Sequence, residues 1–217
     1  MLYGNLDLVC ELLSFEKNKK MPIDTGTLGG LALGLGLSAC CGFRVFIPLL
    51  IASSASKLGW LPIAGNFAWL SSWPSLVCFA SASVCEVLAY YIPVVDNLLD
   101  TLATPAAMIA GTLVSAATLL HLDPTSQWVL GIIVGGGSAG LIQAGTGLTR
   151  LASTKFTAGT GNAVVSTSEN VLATGGSLAA VFMPLLVAAV VGLLLVVIVY
   201  ALARFFMKRA TTKGSSS

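Results

Sequence analysis

Apolar runs separated by short polar punctuation fill the chain from Leu28 to Phe206. Each is close to the roughly 20 residues that a helix needs to cross a hydrocarbon layer. The pattern predicts helices over 28–56, from about Pro74 to Ile92, from Thr104-Pro105 to about Leu120, from Asp123-Pro124 to about Thr149, and from Met183 to Phe206. Two of the starts carry an N-cap residue followed by proline at the first helical position. Pro93 reads as the stop of the second helix. Gly30, Gly34, Ser38 and Gly42 fall four apart in the first run, and Gly131, Gly135 and Ala139 do so in the fourth, a spacing that lets another helix approach closely. Lys57 to Ser72, with Trp60, Trp69 and nearby Trp73, reads as a loop carrying an aromatic belt at a membrane surface. Arg150 to Gly161 is polar and glycine-rich, a loop by composition.

One polar motif occurs twice. Ile92-Pro-Val-Val-Asp-Asn-Leu-Leu-Asp-Thr-Leu-Ala-Thr-Pro105 returns as Asn162-Ala-Val-Val-Ser-Thr-Ser-Glu-Asn-Val-Leu-Ala-Thr-Gly175, with Asp96 over Ser166 and Asp100 over Asn170. Polar as well as apolar positions match, so the chain reads as an internal duplication. Whether 162–182 crosses the membrane is weighed by charge. Five spans leave five basic residues on each side; six leave nine against one, with both termini cytoplasmic, and six are favoured. The fold class expected is all-α, a polytopic helical membrane protein of five to six transmembrane helices. An amphipathic or loosely ordered arm over 1–26 leads into a membrane domain over 27–207, and a basic, serine-rich tail follows over 208–217.

Composition agrees: 56% of the 217 residues are hydrophobic and 9% charged, against roughly 25% charged in soluble domains. The lipid bilayer is the expected partner. A net charge of +2 gives no ground for nucleic acid. Cys10, Cys40, Cys41, Cys78 and Cys85 make no zinc-ligand spacing and read as small packing residues. Leu37-Ser-Ala-Cys40 imitates a lipoprotein cleavage site, but the apolar run continues through Leu50 instead of giving way to a polar tether, so no cleavage is expected. There is no Ser/His/Asp set, metal cluster or phosphate loop in the sequence; no cofactor and no enzymatic activity are expected. His121, beside Asp123 at a helix end, reads as a surface residue.

The candidate chemistry lies in the few buried charges. Arg44 falls about sixteen residues into an apolar run, and a lone arginine at that depth costs at least about 2.5–3.5 kcal/mol. Its candidate partners are Glu86, Asp96, Asp100 and Glu169. Asp96 and Asp100, four apart, share a helix face and repel unless a cation, a proton or Arg44 lies between them. Four acids against one intramembrane base point to a cation or proton as the solute. Asn162, Ser166 and Asn170 add a neutral stripe four apart. The plainer reading is that Arg44 makes one ion pair locking two helices, that Asp96 and Asp100 are solvated caps, and that the neutral stripe holds helices together.

These residues also carry a resemblance. Gly36-Leu-Ser-Ala-Cys-Cys-Gly-Phe-Arg-Val-Phe-Ile-Pro48, Leu58-Gly-Trp60, Glu86, the Ile92 to Asp100 motif, Thr104-Pro105 and Gly161-Asn-Ala-Val-Val-Ser166 with Glu169 resemble the bacterial membrane proteins grouped as domain-of-unknown-function family 4126. Ala163 stands where the family pattern has proline, which removes the basis for a rigid turn there and leaves the polar positions intact. The resemblance implies several membrane helices and supplies no substrate. The expected function is a small channel or transporter for a cation or proton, with Arg44, Glu86, Asp96, Asp100, Glu169 and Asn170 forming a polar cluster. It would assemble as a homo-oligomer through the glycine stripes, in a bacterial inner membrane or else a thylakoid or organelle membrane. The alternative is a membrane scaffold or assembly factor whose charges only fix packing.

Overall fold

The computed structural model describes residues 25–89, 93–157 and 161–213, and every element within them is helical. The arm predicted over 1–26 lies outside the described residues except for its last two positions, as do 214–217 of the tail and the side chains of 93–101, Asp96 and Asp100 among them.

The first apolar run is not one helix. It folds as α1 (Thr25–Cys41) and α2 (Phe46–Lys57), joined by a reversal over 42–45. α1 begins beside the last turn of α4 (Pro93–Thr118), where the Thr118 hydroxyl donates to the Gly30 carbonyl at 3.0 Å. After α2 the chain is back at that same end, and the Ala64 amide donates to the Ala117 carbonyl at 2.9 Å. The two helices therefore form a hairpin that enters and leaves by one end of the bundle, with its tip inside. Arg44, predicted to lie mid-helix, sits in the reversal. Small residues make the turn possible: a Cβ on Gly42 would stand 2.6 Å from both the Ala139 carbonyl oxygen and the Ile142 side chain.

A 3-10 helix (Gly65–Ser71) replaces the predicted loop and leads into α3 (Trp73–Ala89), bent from it by 59°. α4 then starts at Pro93, eleven residues before the predicted cap. Thr104-Pro105 lies inside it, so the proline that imitates a helix start is an interior residue. The Asp123 start is as predicted: its carboxylate accepts from the Ser126 amide at 3.0 Å and the Ser126 hydroxyl at 2.7 Å, with Pro124 next. Those bonds, from the hydroxyl first and the amide second, hold the Asp123 carboxyl below its ordinary range.

α5 (Pro124–Leu130), a π-helical turn (Gly131–Gly136) and α6 (Gly137–Thr157) are continuous. The predicted loop from Arg150 is therefore largely helix. α7 (Asn162–Phe182) returns to the hairpin's open end, and α8 (Pro184–Lys213) runs away from it. The two motif copies open α4 and α7, which run in the same direction. Ala103 and Ser166 lie at the level of the hairpin tip, and Thr118 and Phe182 at the other end.

The predicted glycine stripes pack within the chain. A Cβ on Gly34 would meet the Thr118 hydroxyl at 2.7 Å, and one on Gly135 the Gly111 carbonyl at 2.3 Å. They close α1 and the π turn onto α4 and are not free for an oligomer contact. A buried apolar cluster is surrounded by a surface that is itself largely apolar. Val77, Val84, Ile109, Ile133, Val164 and Leu193 are among many large apolar residues facing outward, while Arg44, Glu86, Arg150 and Glu169 are buried. The tryptophans gather at the hairpin's open end: Lys57 lies over Trp73, Trp60 packs on Phe182 and Trp128 on Phe67. Among the described residues one helical stretch, Pro124–Phe156, is by itself long and apolar enough to cross a membrane; a second qualifies if Gly65–Ser71 and Trp73–Ala89 are one bent span.

Candidate functional site

The hairpin tip is where the buried charges meet. Ending α1 at Cys41 and starting α2 at Phe46 leaves the first amides of α2 without intrahelical partners. Glu86, projecting from α3, supplies them: its carboxylate oxygens accept from the Val45 amide at 2.7 Å and the Phe46 amide at 3.0 Å. A negative group at the positive end of a helix is favoured by the same dipole that leaves these amides exposed. Glu86 is 8% exposed and makes no ion pair among the described residues.

Arg44, at 1% exposure, turns the other way, toward α7. Its Nε donates to Asn170 Oδ1 at 2.6 Å, its Nη2 donates to the Ser166 carbonyl at 3.1 Å, and Nη2 stands 3.5 Å from Glu169 Oε2. Glu169, 3% exposed, lies between two guanidinium groups, because Arg150 of α6 approaches it from the other side. Arg150 Nε donates to Glu169 Oε1 at 3.2 Å, and its Nη2 donates to Glu169 Oε2 and to the Ser166 hydroxyl. Ser166 thus serves both arginines, one through its carbonyl and one through its hydroxyl.

Of the sequence-predicted residues, Arg44, Ser166, Glu169 and Asn170 form this network, and Glu86 borders it through the backbone of the tip. Asn162 does not join: its amide donates to the Thr154 hydroxyl at 3.1 Å, one turn beyond Arg150. Asp96 and Asp100 lie outside the described side chains. Arg150, 4% exposed, is the residue that sequence reasoning missed. The signal was present, since the small and polar stripe Gly135, Ala139, Gln143, Arg150 continues past the predicted helix end at helical spacing. Its presence adds a second base to the count made from sequence: among the described side chains there are two buried arginines and two buried glutamates, with Asp96 and Asp100 outside them.

Beside the tip lies a cavity of about 300 Å³, with Val45, Phe46, Glu86, Ala103 and Ala106 in its walls and the exposed Cys85 and Leu102 at its rim. Burial of Glu169 between two cations has a definite energetic sign. Removing Glu169 would leave two buried guanidinium groups facing each other without their shared anion, a loss of about 3–5 kcal/mol, whereas removing either arginine leaves Glu169 paired with the other. Among the described residues no group of three or more His, Cys, Asp or Glu is placed to hold a metal ion. No curated protein and no solved structure matches the chain. The model of the family described as a domain of unknown function (DUF4126) matches residues 31–204, and the chain belongs to that family.

Proposed function

We propose that the protein is a small polytopic membrane channel or transporter. The α1–α2 hairpin enters partway between the crossing helices, and its charged tip forms part of a path for a cation or proton. The observation that carries this reading is the reversal at 42–45. A chain that breaks its helix in an apolar layer exposes backbone amides and carbonyls, which is tolerated where the break is enclosed by protein or lines a hydrated cavity. Interrupted helices with charged or polar residues at their broken ends are the common building blocks of transport sites. The outward apolar surface supports the membrane setting, because soluble monomers do not expose contiguous apolar faces of this extent. In this reading α3, α4, the α5–α6 rod, α7 and α8 cross, and α1–α2 does not.

A membrane scaffold is the second reading. It is favoured by one feature, the pairing of both arginines with Glu169, which alone would lock α6, α7 and the hairpin together. The two are separated by flux. Purified protein is reconstituted in liposomes with an internal pH-sensitive dye and an imposed potential. The transport reading expects protein-dependent proton or cation flux that falls at least tenfold in Glu86→Gln at equal protein content. Absence of flux for protons, sodium, potassium and organic cations alike removes the transport reading in favour of the scaffold.

A further inference from the structure

We propose that the cavity beside Glu86 is a binding site for a small organic ammonium cation with an apolar body, the solute class of the path described above; the inference rests on that reading. Glu86 is more than nine-tenths buried, and among the described residues it accepts from two amides and makes no ion pair, with Arg44 acting on it through space. Two amides occupy one lone pair on each oxygen, and a carboxylate has about four acceptor sites. The remaining sites face a cavity of about 300 Å³, at the lower edge of the sizes that hold small molecules.

The walls decide which cation. Ala82, Ala89, Ala103 and Ala106 leave the space, and Val45 and Phe46 close it, so the carboxylate stands against carbon. A sodium, potassium or calcium ion needs about six or more oxygen ligands once its water is stripped. Among the described residues the walls offer one carboxylate amid carbon, which does not supply them. A proton would neutralise Glu86 and leave the cavity unfilled. A substituted ammonium meets both features at once: its charge is diffuse enough to shed water at modest cost, it pairs with a single carboxylate, and its apolar substituents fill the alanine-lined space. Arg44 acts on Glu86 through space but does not occupy the cavity, since its hydrogen bonds go to Asn170 and Ser166 on α7.

Cys85 on the rim is a native reporter. The full chain carrying Cys78→Ser is placed in lipid nanodiscs, and the rate of N-ethylmaleimide addition at Cys85 is followed by peptide mass spectrometry. Benzyltrimethylammonium is expected to slow labelling about fivefold or more at saturation, while its uncharged isostere neopentylbenzene and sodium chloride at matched concentration leave the rate unchanged. Glu86→Gln is expected to abolish the protection. Because that change also weakens the cap on α2, Ala106→Leu provides the second variant: it fills the cavity, leaves Glu86 in place, and must abolish protection too. Equal protection by neopentylbenzene, protection by sodium, no protection at all, or protection that survives Ala106→Leu each overturns the proposal. Uptake of radiolabelled benzyltrimethylammonium into proteoliposomes distinguishes the two readings. Protection without uptake upholds the site and removes the transporter; uptake without protection moves the path elsewhere and removes the site.

Discussion

Arg150 contributes more to the site than any residue visible from sequence. It turns Glu169 from the partner of one arginine into a carboxylate shared by two, with Ser166 joining both. Its planar fork places Nε and Nη2 on the two oxygens of Glu169, with Nη2 also on the Ser166 hydroxyl, a bidentate geometry that the point charge of a lysine does not reproduce. Arg150→Leu is expected to destabilise the protein by about 1.5–3 kcal/mol, because Glu169 loses its charge-assisted hydrogen bonds to Arg150 while keeping Arg44, and Arg150→Lys to recover less than half of that. Equilibrium unfolding in mixed micelles measures both. A Lys variant as stable as the parent would show that charge alone, without the fork, holds Glu169. Arg44, Glu86, Ser166, Glu169 and Asn170 were legible because a charge or amide in an apolar run is costly wherever it lies. Arg150 was not, because glycines and threonines around it lower the apolar signal by which a helix is read.

At the scale of elements, the reading succeeded where capping chemistry is local and failed where a distant partner decides. Asp123-Pro124 opens a helix as its residues dictate. Thr104-Pro105 has the same form, yet the preceding turns from Pro93 are already helical, and proline in that position forfeits one hydrogen bond that packing of α4 offsets. The break at 42–45 carries no proline; it forms because Glu86, 41 residues on, supplies the acceptors for the new helix end. The glycines divide in the same way. Gly135→Ala puts a methyl 2.3 Å from the Gly111 carbonyl, whereas Gly147 has nothing within 4 Å of an added Cβ. The first is expected to cost about 1–3 kcal/mol by forcing α4 from the π turn. The second should be neutral or stabilising by up to about 1 kcal/mol through helix propensity. Thermal unfolding of the two variants side by side reads the difference, and equal effects would mean that the π turn tolerates separation from α4.

For the whole molecule, the hairpin changes the topology drawn from charge. The nine-to-one count required 28–56 to cross; with both its ends at the tryptophan end, that count no longer applies. On the membrane topology proposed above, single cysteines at Gly26 and Gly59 are expected to label from the same side of the membrane, and one at Lys155 from the opposite side. Impermeant maleimide applied to intact cells and to inverted vesicles tests this. Labelling of positions 26 and 59 from opposite sides would restore a single span over 28–56. The all-helical class and the inward placement of charge were readable from composition and period. The path of the first run was not, since a hairpin and a span share one hydropathy profile.

The hairpin also sets a timetable for biogenesis. Arg44 is synthesised 42 residues before Glu86 and 126 residues before Asn170. At roughly 5–20 residues per second, about 6–25 s pass before the ribosome has made the amide that accepts from its guanidinium. During that interval the arginine has none of the α7 partners that later hold it, and a 29-residue apolar stretch is free to lie across or along the bilayer. The tip locks only after α7 arrives, so the hairpin is made before its partners and is among the last parts to reach its final place.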